Sequence, residues 1–97
     1  MYPIILNIIF SDISIIAAKE GNSEICQILI EKKAEKNCKD KYGNTPLHLA
    51  AEHGRLEICK ILIKNWAERH TRNKRGQTPL EVAEQESQFE VRSFLKN

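Results

Sequence analysis

The sequence repeats itself at a spacing of 33 residues. Residues 45–50 (TPLHLA) return at residues 78–83 (TPLEVA), and a weaker copy, DISIIA, stands at residues 12–17. Between the stretches 12–44 and 45–77, thirteen positions carry the same residue at this one spacing. A period near this length marks supersecondary units that cannot bury their apolar faces alone and therefore stack on one another. The spacing predicts a stack of three units, over residues 12–44, 45–77 and 78–97.

Each unit is predicted to hold two short antiparallel helices. Thr45 offers a side-chain oxygen to free backbone donors, and the fixed φ of Pro46 suits the first helical position. Apolar residues then recur at spacings of three and four until Gly54, where a left-handed turn is expected. Residues 56–64 resume as a second helix with a broader apolar stripe. The polar residues 65–77 form a connection with a tight turn near residues 73–76.

The first eleven residues form an apolar flank that does not follow the repeat. Residues 2–10 (YPIILNIIF) are too few for a membrane helix and lack the basic start of a signal peptide. Their β-branched residues favour an extended strand or loop that covers the open end of the first unit. In the alternative, this flank docks on another body, and the chain is a fragment or subunit of a larger repeat protein.

Composition and motifs exclude several functional classes. The 97 residues carry 15 basic and 13 acidic side chains, and this balance does not indicate nucleic acid or an anionic membrane. The three cysteines are odd in number and form no Cys-x-x-Cys pair, which argues against disulfides and zinc and favours a reducing compartment, cytoplasmic or nuclear. No phosphate-binding loop, metal-ligand spacing or nucleophile elbow is present. We expect no enzyme activity, cofactor or metal.

The second unit resembles an ankyrin repeat. The resemblance rests on TPLHLAAEHGRLEICKILI at residues 45–63, on Ala67 and Glu68, and on the turn at residues 73–76 before the next Thr-Pro-Leu. It covers about residues 12–97 and implies an all-α solenoid of paired antiparallel helices with a protruding hairpin in each repeat. It also implies that His48 is structural and bonded to neighbouring loop backbone. Cys26 and Cys59, at equivalent inward positions, are expected to be small buried apolar residues.

Three departures from the family pattern concern the first two repeats. The first repeat lacks Thr-Pro-Leu-His and offers Asp12 as a substitute helix cap. The usual glycine after the second helix is Lys33 and then Trp66, which must either adopt a left-handed backbone or follow another path. The usual apolar residue at the hairpin base is Lys36 and then Arg69, so this base is predicted to be wetter.

The third repeat is predicted to be a C-terminal cap, because a terminal repeat must present one face to water. Its predicted outward residues are Glu84, Ser87, Arg92 and Lys96. Its predicted packing residues are Leu80, Val82, Ala83, Phe89, Val91, Phe94 and Leu95.

The resemblance implies a protein-binding surface on the hairpin tips and the solvent side of the first helix of each repeat. Carried over position by position, the surface comprises Lys41, Tyr42, Asn44, Glu52, His53, Asn65, Trp66, Lys74, Arg75, Gln77, Gln85 and Glu86. Tyr42 and Trp66 receive most weight, since large amphipathic rings dominate interface energetics. The alternative for each of these residues is an ordinary solvated side chain, and for Trp66 it is a ring that covers the hairpin base.

The charge pattern adds one local feature. Residues 69–75 carry four fixed positive charges and no acid, whereas the first helix of the last repeat carries Glu81, Glu84 and Glu86. We therefore expect a monomeric, non-catalytic module that binds a protein with an acidic surface and no membrane. The alternatives are a polyanion or nucleic acid bound through this basic edge, and a loop that is merely solvated.

Overall fold

The computed structural model of the chain describes residues 16–31 and 39–96. These ranges contain helices and turns, and none of their residues lies in a strand. The helices are α1 over residues 16–20, α2 over Ser23–Glu31, α3 over Pro46–Glu52, α4 over Leu56–Lys64, α5 over Pro79–Gln85 and α6 over Phe89–Lys96. The predictions for the apolar flank, Asp12, Lys33, Lys36 and Cys38 lie outside the described residues.

The helices α3 and α5 begin with the same cap. The hydroxyl oxygen of Thr45 accepts the backbone N–H of His48 at 3.3 Å, and Thr78 does the same for Glu81 at 3.3 Å. The His48 and Glu81 side chains reach back to the backbone N–H of their threonines, at 3.1 and 2.9 Å. This reciprocal box, with a proline at the first helical turn, satisfies backbone donors that a helix start leaves free. The predicted helix starts are confirmed.

The helices stack in two rows, as an all-α ankyrin solenoid requires. In the inner row α3 packs against α5, and in the outer row α4 packs against both α2 and α6. Ala17, Ala50 and Ala83, which are 33 residues apart, are each at most 4% exposed. Because alanine adds only a methyl group, the inner helices can approach closely, and each repeat buries its apolar face on the next. The predicted fold class is confirmed.

The outer helices supply the larger core side chains. Ile58 and Val91 are 1% exposed, and Cys26 and Cys59 are buried beside them as free thiols. Burial raises the pKa of Cys26 to about 11 and that of Cys59 to about 12, so both thiols stay protonated at neutral pH and are poor nucleophiles. Their predicted role as small buried apolar residues is confirmed.

The helix ends use left-handed residues, and not all of them are glycine. Gly54 has φ +69°, as predicted, and its equivalent Ser87 has φ +58°. Trp66 has φ +67°, so the chain keeps the usual family path and places an L side chain in a left-handed backbone. The indole is 86% exposed, and the interpretation that it covers the hairpin base is wrong.

The third repeat has the pattern of exposed and buried residues that was predicted for it, with one correction. Glu84, Ser87 and Lys96 are exposed and Arg92 is half-buried, whereas Val82, Ala83, Val91 and Leu95 are buried and Leu80 and Phe94 pack partly buried on the core. Phe89 was predicted to pack, but it is 70% exposed. It lies two residues before Val91, which on a helix is close to the opposite face. The equivalent Leu56, two residues before the buried Ile58, packs partly buried on the core, so the two repeats differ at this position.

Candidate functional site

A groove of about 500 Å³ lies between the hairpin tips and the helices α3 and α5. Eight of the twelve predicted site residues line it: Tyr42, Asn44, Glu52, Lys74, Arg75, Gln77, Gln85 and Glu86. Asn73 and Val82 complete the lining, and the sequence analysis did not assign either residue to the site. The structure therefore brings together residues from two hairpins and two helices that are up to 44 positions apart in the sequence.

The first hairpin tip is fixed by a carboxylate within the turn. One oxygen of Asp40 accepts the backbone N–H groups of Tyr42 and Asn44, both at 2.9 Å, and the backbone of Asp40 and Asn44 pairs at 2.9 Å. An aspartate that bonds backbone two residues ahead is a local turn-forming device. The Tyr42 ring is 60% exposed at this tip, with the Lys41 ammonium 5.1 Å from its centroid.

The second hairpin tip repeats this geometry with an amide. The side-chain oxygen of Asn73 accepts the backbone N–H of Arg75 at 2.9 Å and that of Gln77 at 3.0 Å. Lys74 and Arg75 occupy the tip and are exposed. Neither side chain has a hydrogen bond or ion pair with another described residue, so both charges are free to meet a ligand.

The two tips are joined into one continuous edge. The backbone N–H of Lys74 donates to the carbonyl of Tyr42 at 3.0 Å, and the Asn73 amide donates to the side-chain oxygen of Asn44 at 3.0 Å. Asn73 thus bonds within its own turn and across to the previous one. The signal for this residue was present in the sequence, because Asp40 and Asn73 stand 33 positions apart and both suit turns.

The opposite wall of the groove comes from the ends of α3 and α5 and is acidic. Glu86 is exposed, and the Glu52 side chain is 42% exposed, with one oxygen 3.0 Å from Nε2 of His53. The amides of Gln77 and Gln85 are hydrogen-bonded to each other across the groove. Val82, 7% exposed, supplies apolar surface among these polar groups.

His48 lies beneath the hairpins and has a structural role, as the resemblance implied. Its Nε2 is 2.8 Å from the carbonyl oxygen of Gln77, which can only accept, so Nε2 carries the proton. Its Nδ1 then accepts the backbone N–H of Thr45 at 3.1 Å. Burial lowers the pKa of His48, against the opposing effect of the Gln77 bond, because the charged ring would be poorly solvated. His48 therefore joins the start of α3 to the next hairpin.

Four predicted site residues do not line the groove. Lys41 is exposed beside the Tyr42 ring, and His53 is half-buried next to Glu52. Asn65 closes α4, where its amide donates to the carbonyl of Ile61 at 2.8 Å. Trp66 follows it with the exposed ring described above. The predicted surface is thus divided into eight groove residues, the pair Asn65 and Trp66 at the end of α4, and Lys41 and His53, which are sequence neighbours of groove residues.

The basic run at residues 69–75 is divided as well. Arg69 donates to the carbonyl of Leu95 at 2.9 Å. The family pattern has an apolar residue at this position, whereas here the residue forms a hydrogen bond to α6. Arg72 donates to the carbonyl of Gly76 at 2.7 Å and lies 3.4 Å from Glu81. Of the four cations, Lys74 and Arg75 have side chains without a hydrogen-bond or ion-pair partner among the described residues. Arg69 and Arg72 keep their positive charge in these contacts, so the basic edge along the run stays a prediction.

Two contacts between repeats were missed by the sequence analysis. Arg55 donates from Nε to the carbonyl of Lys19 at 3.3 Å, and Gln88 donates to the carbonyl of Glu52 at 2.9 Å. Arg55 and Gln88 are 33 positions apart, and so are their acceptors. The side chains differ in charge and shape, so identity at the repeat spacing could not reveal them. Their shared position directly after Gly54 and Ser87 was the available signal.

The part of the chain that the structure describes contains no group of three side chains suited to a metal ion, and none of its helices could cross a membrane. A search of curated proteins returns no match for this sequence. The family model described as ankyrin repeats (3 copies) matches residues 14–97. Proteins with these repeats generally act as protein-interaction modules and are typically non-catalytic. With the stacked helix pairs and the capped helix starts, this match shows that the chain belongs to the ankyrin repeat family.

Proposed function

We propose that this chain is a non-catalytic adaptor or regulatory module that binds a protein partner in the groove between its hairpin tips and the helices α3 and α5. The observation that carries the proposal is the set of exposed side chains at the two tips. Tyr42, Lys74 and Arg75 project from turns whose backbone is held by hydrogen bonds to Asp40 and Asn73, beside a wall formed by Glu52 and Glu86.

Preorganisation supports this choice of surface. Binding is weakened when loops must be ordered on association, and a turn already held by hydrogen bonds avoids most of that cost. The backbone bond from Lys74 to Tyr42 joins the two tips before any partner arrives. Exposed aromatic and arginine side chains are also those that most often dominate binding energy at interfaces.

The alternative of a nucleic acid or other polyanion receives less support. Counterion release requires several cations along one track, and the charge of Arg72 is offset by the Glu81 carboxylate 3.4 Å away. Glu52 and Glu86 line the same groove as Lys74 and Arg75. Phosphates bound in the groove would meet these carboxylates, so we expect retention on heparin no stronger than that of a neutral protein.

Affinity capture from a lysate, followed by mass spectrometry, tests the proposal. A groove variant carries Tyr42→Ala, Lys74→Gln and Arg75→Gln, and we expect it to lose the captured proteins without a change in unfolding midpoint. A matched control carries Phe89→Ala, Lys60→Gln and Lys64→Gln, which remove one exposed ring and two exposed cations outside the groove. Equal capture by the wild type and the groove variant would contradict the assignment of this surface.

The proposal also includes a monomeric state and a reducing location, cytoplasmic or nuclear. The free thiols of Cys26 and Cys59 support the reducing location. Light scattering of the purified chain tests the first part, and fluorescence microscopy of a tagged chain tests the second.

A further inference from the structure

We infer that the groove selects an extended segment in which acidic and basic side chains alternate. In the bound state its carboxylates face Lys74 and Arg75, and its guanidinium or ammonium groups face Glu52 and Glu86. This inference rests on the proposed function, because it names the chemistry of the partner for the same groove.

The hairpin wall favours anions. Lys74 and Arg75 stand side by side at an exposed tip, and neither is neutralised by a described acidic residue. Two acids of the last repeat pair with other cations, since Glu81 lies 3.4 Å from Arg72 and Glu84 lies 3.3 Å from Arg92. A carboxylate of the ligand is therefore the group that can pair with these two cations.

The helix wall favours cations. Glu86 closes α5 and pairs with no described cation, and among the described residues Glu52 has a charged-group contact with the His53 imidazole alone, at 3.0 Å. Both are placed at helix C-termini, where the free carbonyl groups add negative potential. A guanidinium or ammonium group of the ligand is stabilised by both contributions.

Because the cations of the groove come from the hairpin and the acids from the ends of α3 and α5, a ligand that contacts both has to present charges of both signs. Successive side chains of an extended strand point to opposite faces, so an alternating sequence presents acids to one wall and bases to the other. The ring of Tyr42 and the side chain of Val82 add apolar surface for the aliphatic parts of long side chains. A uniformly acidic partner would meet repulsion from the helix wall, so this inference narrows the acidic partner that the sequence suggested.

Two blocked peptides of identical composition provide the test. The first is Ac-Arg-Glu-Arg-Glu-Arg-Glu-NH2, and the second, Ac-Arg-Arg-Arg-Glu-Glu-Glu-NH2, has the same charges in blocks. Each is titrated at millimolar concentration into the ¹⁵N-labelled full chain, and amide shifts are followed by NMR. We expect the alternating peptide to shift amides on both walls and to bind roughly three- to tenfold more tightly, the gain expected from one or two additional exposed ion pairs.

Charge reversal of each wall sharpens the test. K74E with R75E, and E52K with E86K, should each reduce binding of the alternating peptide to the level of the block peptide. The four changes together exchange the walls, and we expect them to restore binding, because the segment can lie in the reversed orientation. Neutralising Lys60 and Glu90, which are exposed outside the groove, serves as the control and should leave binding unchanged.

Equal affinity of the two peptides, shifts outside the groove, or no shift at all would overturn the inference. The proposed function would still stand if the substitutions at Tyr42, Lys74 and Arg75 abolished capture of a protein partner. In the reverse case, the alternating peptide binds selectively, but the substitutions do not change the capture of proteins. That result would contradict the proposed function and leave the charge selectivity of the groove intact.

Discussion

The second and third repeats begin with the same local structure in different surroundings. Thr45 with His48, and Thr78 with Glu81, form capping boxes whose hydroxyl bonds are both 3.3 Å long. Thr45 is 2% exposed and His48 is 1% exposed, and the carbonyl of Gln77, in the hairpin that ends the same repeat, bonds to the imidazole. No described hairpin bonds to Glu81 in the same way, and Glu81 is exposed. The same start is a buried joint in one repeat and a surface cap in the other.

The two hairpin turns show the same difference. A side chain added at Gly43 would lie 2.9 Å from the backbone nitrogen of Lys74, whereas one added at Gly76 would meet nothing within 4 Å. Both glycines have nearly equal left-handed φ, +76° and +77°. The left-handed conformation of each glycine is therefore set within its own turn. Whether a side chain can be added there depends on whether another repeat packs against the turn. Substitutions at equivalent positions should separate these two contributions.

The largest difference is expected between His48→Ala and Glu81→Ala. Removal of the imidazole leaves the Gln77 carbonyl and the Thr45 amide without a partner and opens a cavity, at a cost of about 3 kcal/mol. Loss of the exposed Glu81 carboxylate should have a much smaller effect, since water replaces its bond. Urea unfolding monitored by circular dichroism measures both variants. Equal losses would show that the joint between repeats contributes nothing beyond the cap.

A smaller difference is expected between Gly43→Ala and Gly76→Ala. Both substitutions place an L side chain in a left-handed turn, which costs about 1 kcal/mol. Only Gly43→Ala also displaces the backbone of Lys74. Loss of the hydrogen bond from Lys74 to Tyr42 then adds about another 1 kcal/mol to the cost. The two unfolding midpoints should differ accordingly. If the variants are equally stable, the edge between the hairpins does not contribute to folding.

The substitution Ser87→Gly is expected to have the opposite sign. Ser87 holds φ +58° at the position where the previous repeat has Gly54, and glycine would remove that strain. The greater freedom of glycine in the unfolded chain offsets part of the gain, which leaves about 0.5 kcal/mol of added stability. Thermal unfolding of this variant and of the exposed control Ser93→Gly, placed within α6, measures the effect. A lower unfolding temperature for Ser87→Gly than for the wild type would contradict the interpretation that the Ser87 backbone is strained.

The smallest effect is a difference in how the two capping boxes respond to pH. Burial lowers the pKa of His48 from 6.5, so its contribution to stability is complete above pH 6.5 and is lost as the pH falls through the folded-state pKa. The amide of Thr78 lowers the pKa of Glu81 from 4.5, so its contribution is lost only below that pH. Unfolding midpoints across pH should show two steps, and H48Q should lose only the upper one. An unchanged upper step in H48Q would exclude His48 as its source.

The sequence predicted the parts of the fold that depend on neighbouring residues. Thr45 and Pro46 marked a helix start, and Gly54 marked a left-handed end, because each acts through its own backbone. The prediction failed for Phe89, since its apolar character alone could not show that Val91 and Leu95 take the inner face of α6. The sequence also left two possibilities for the backbone at Trp66. Only the path of the folded chain decides whether a bulky residue adopts a positive φ.

For the candidate site, the resemblance named eight residues that line one groove in the structure. It did not show which of the charges remain available there. Arg69 and Arg72 resemble Lys74 and Arg75 in sequence, yet the first two bond to carbonyl groups of Leu95 and Gly76. The contacts of Arg55 and Gln88 with the previous repeat were likewise invisible, because they join residues 36 positions apart.

The amino-acid sequence by itself determined the period of 33 residues, the helix pairs and the capping boxes, since these follow from short-range hydrogen bonding and apolar spacing. Only the tertiary structure decided which of two equivalent residues is buried, which cations stay free, and that two hairpins and two helices form one groove. Those properties depend on which residues pack against a given residue in the stack. Equivalent residues in a repeated sequence have the same local conformational preferences, whether or not another repeat packs against them.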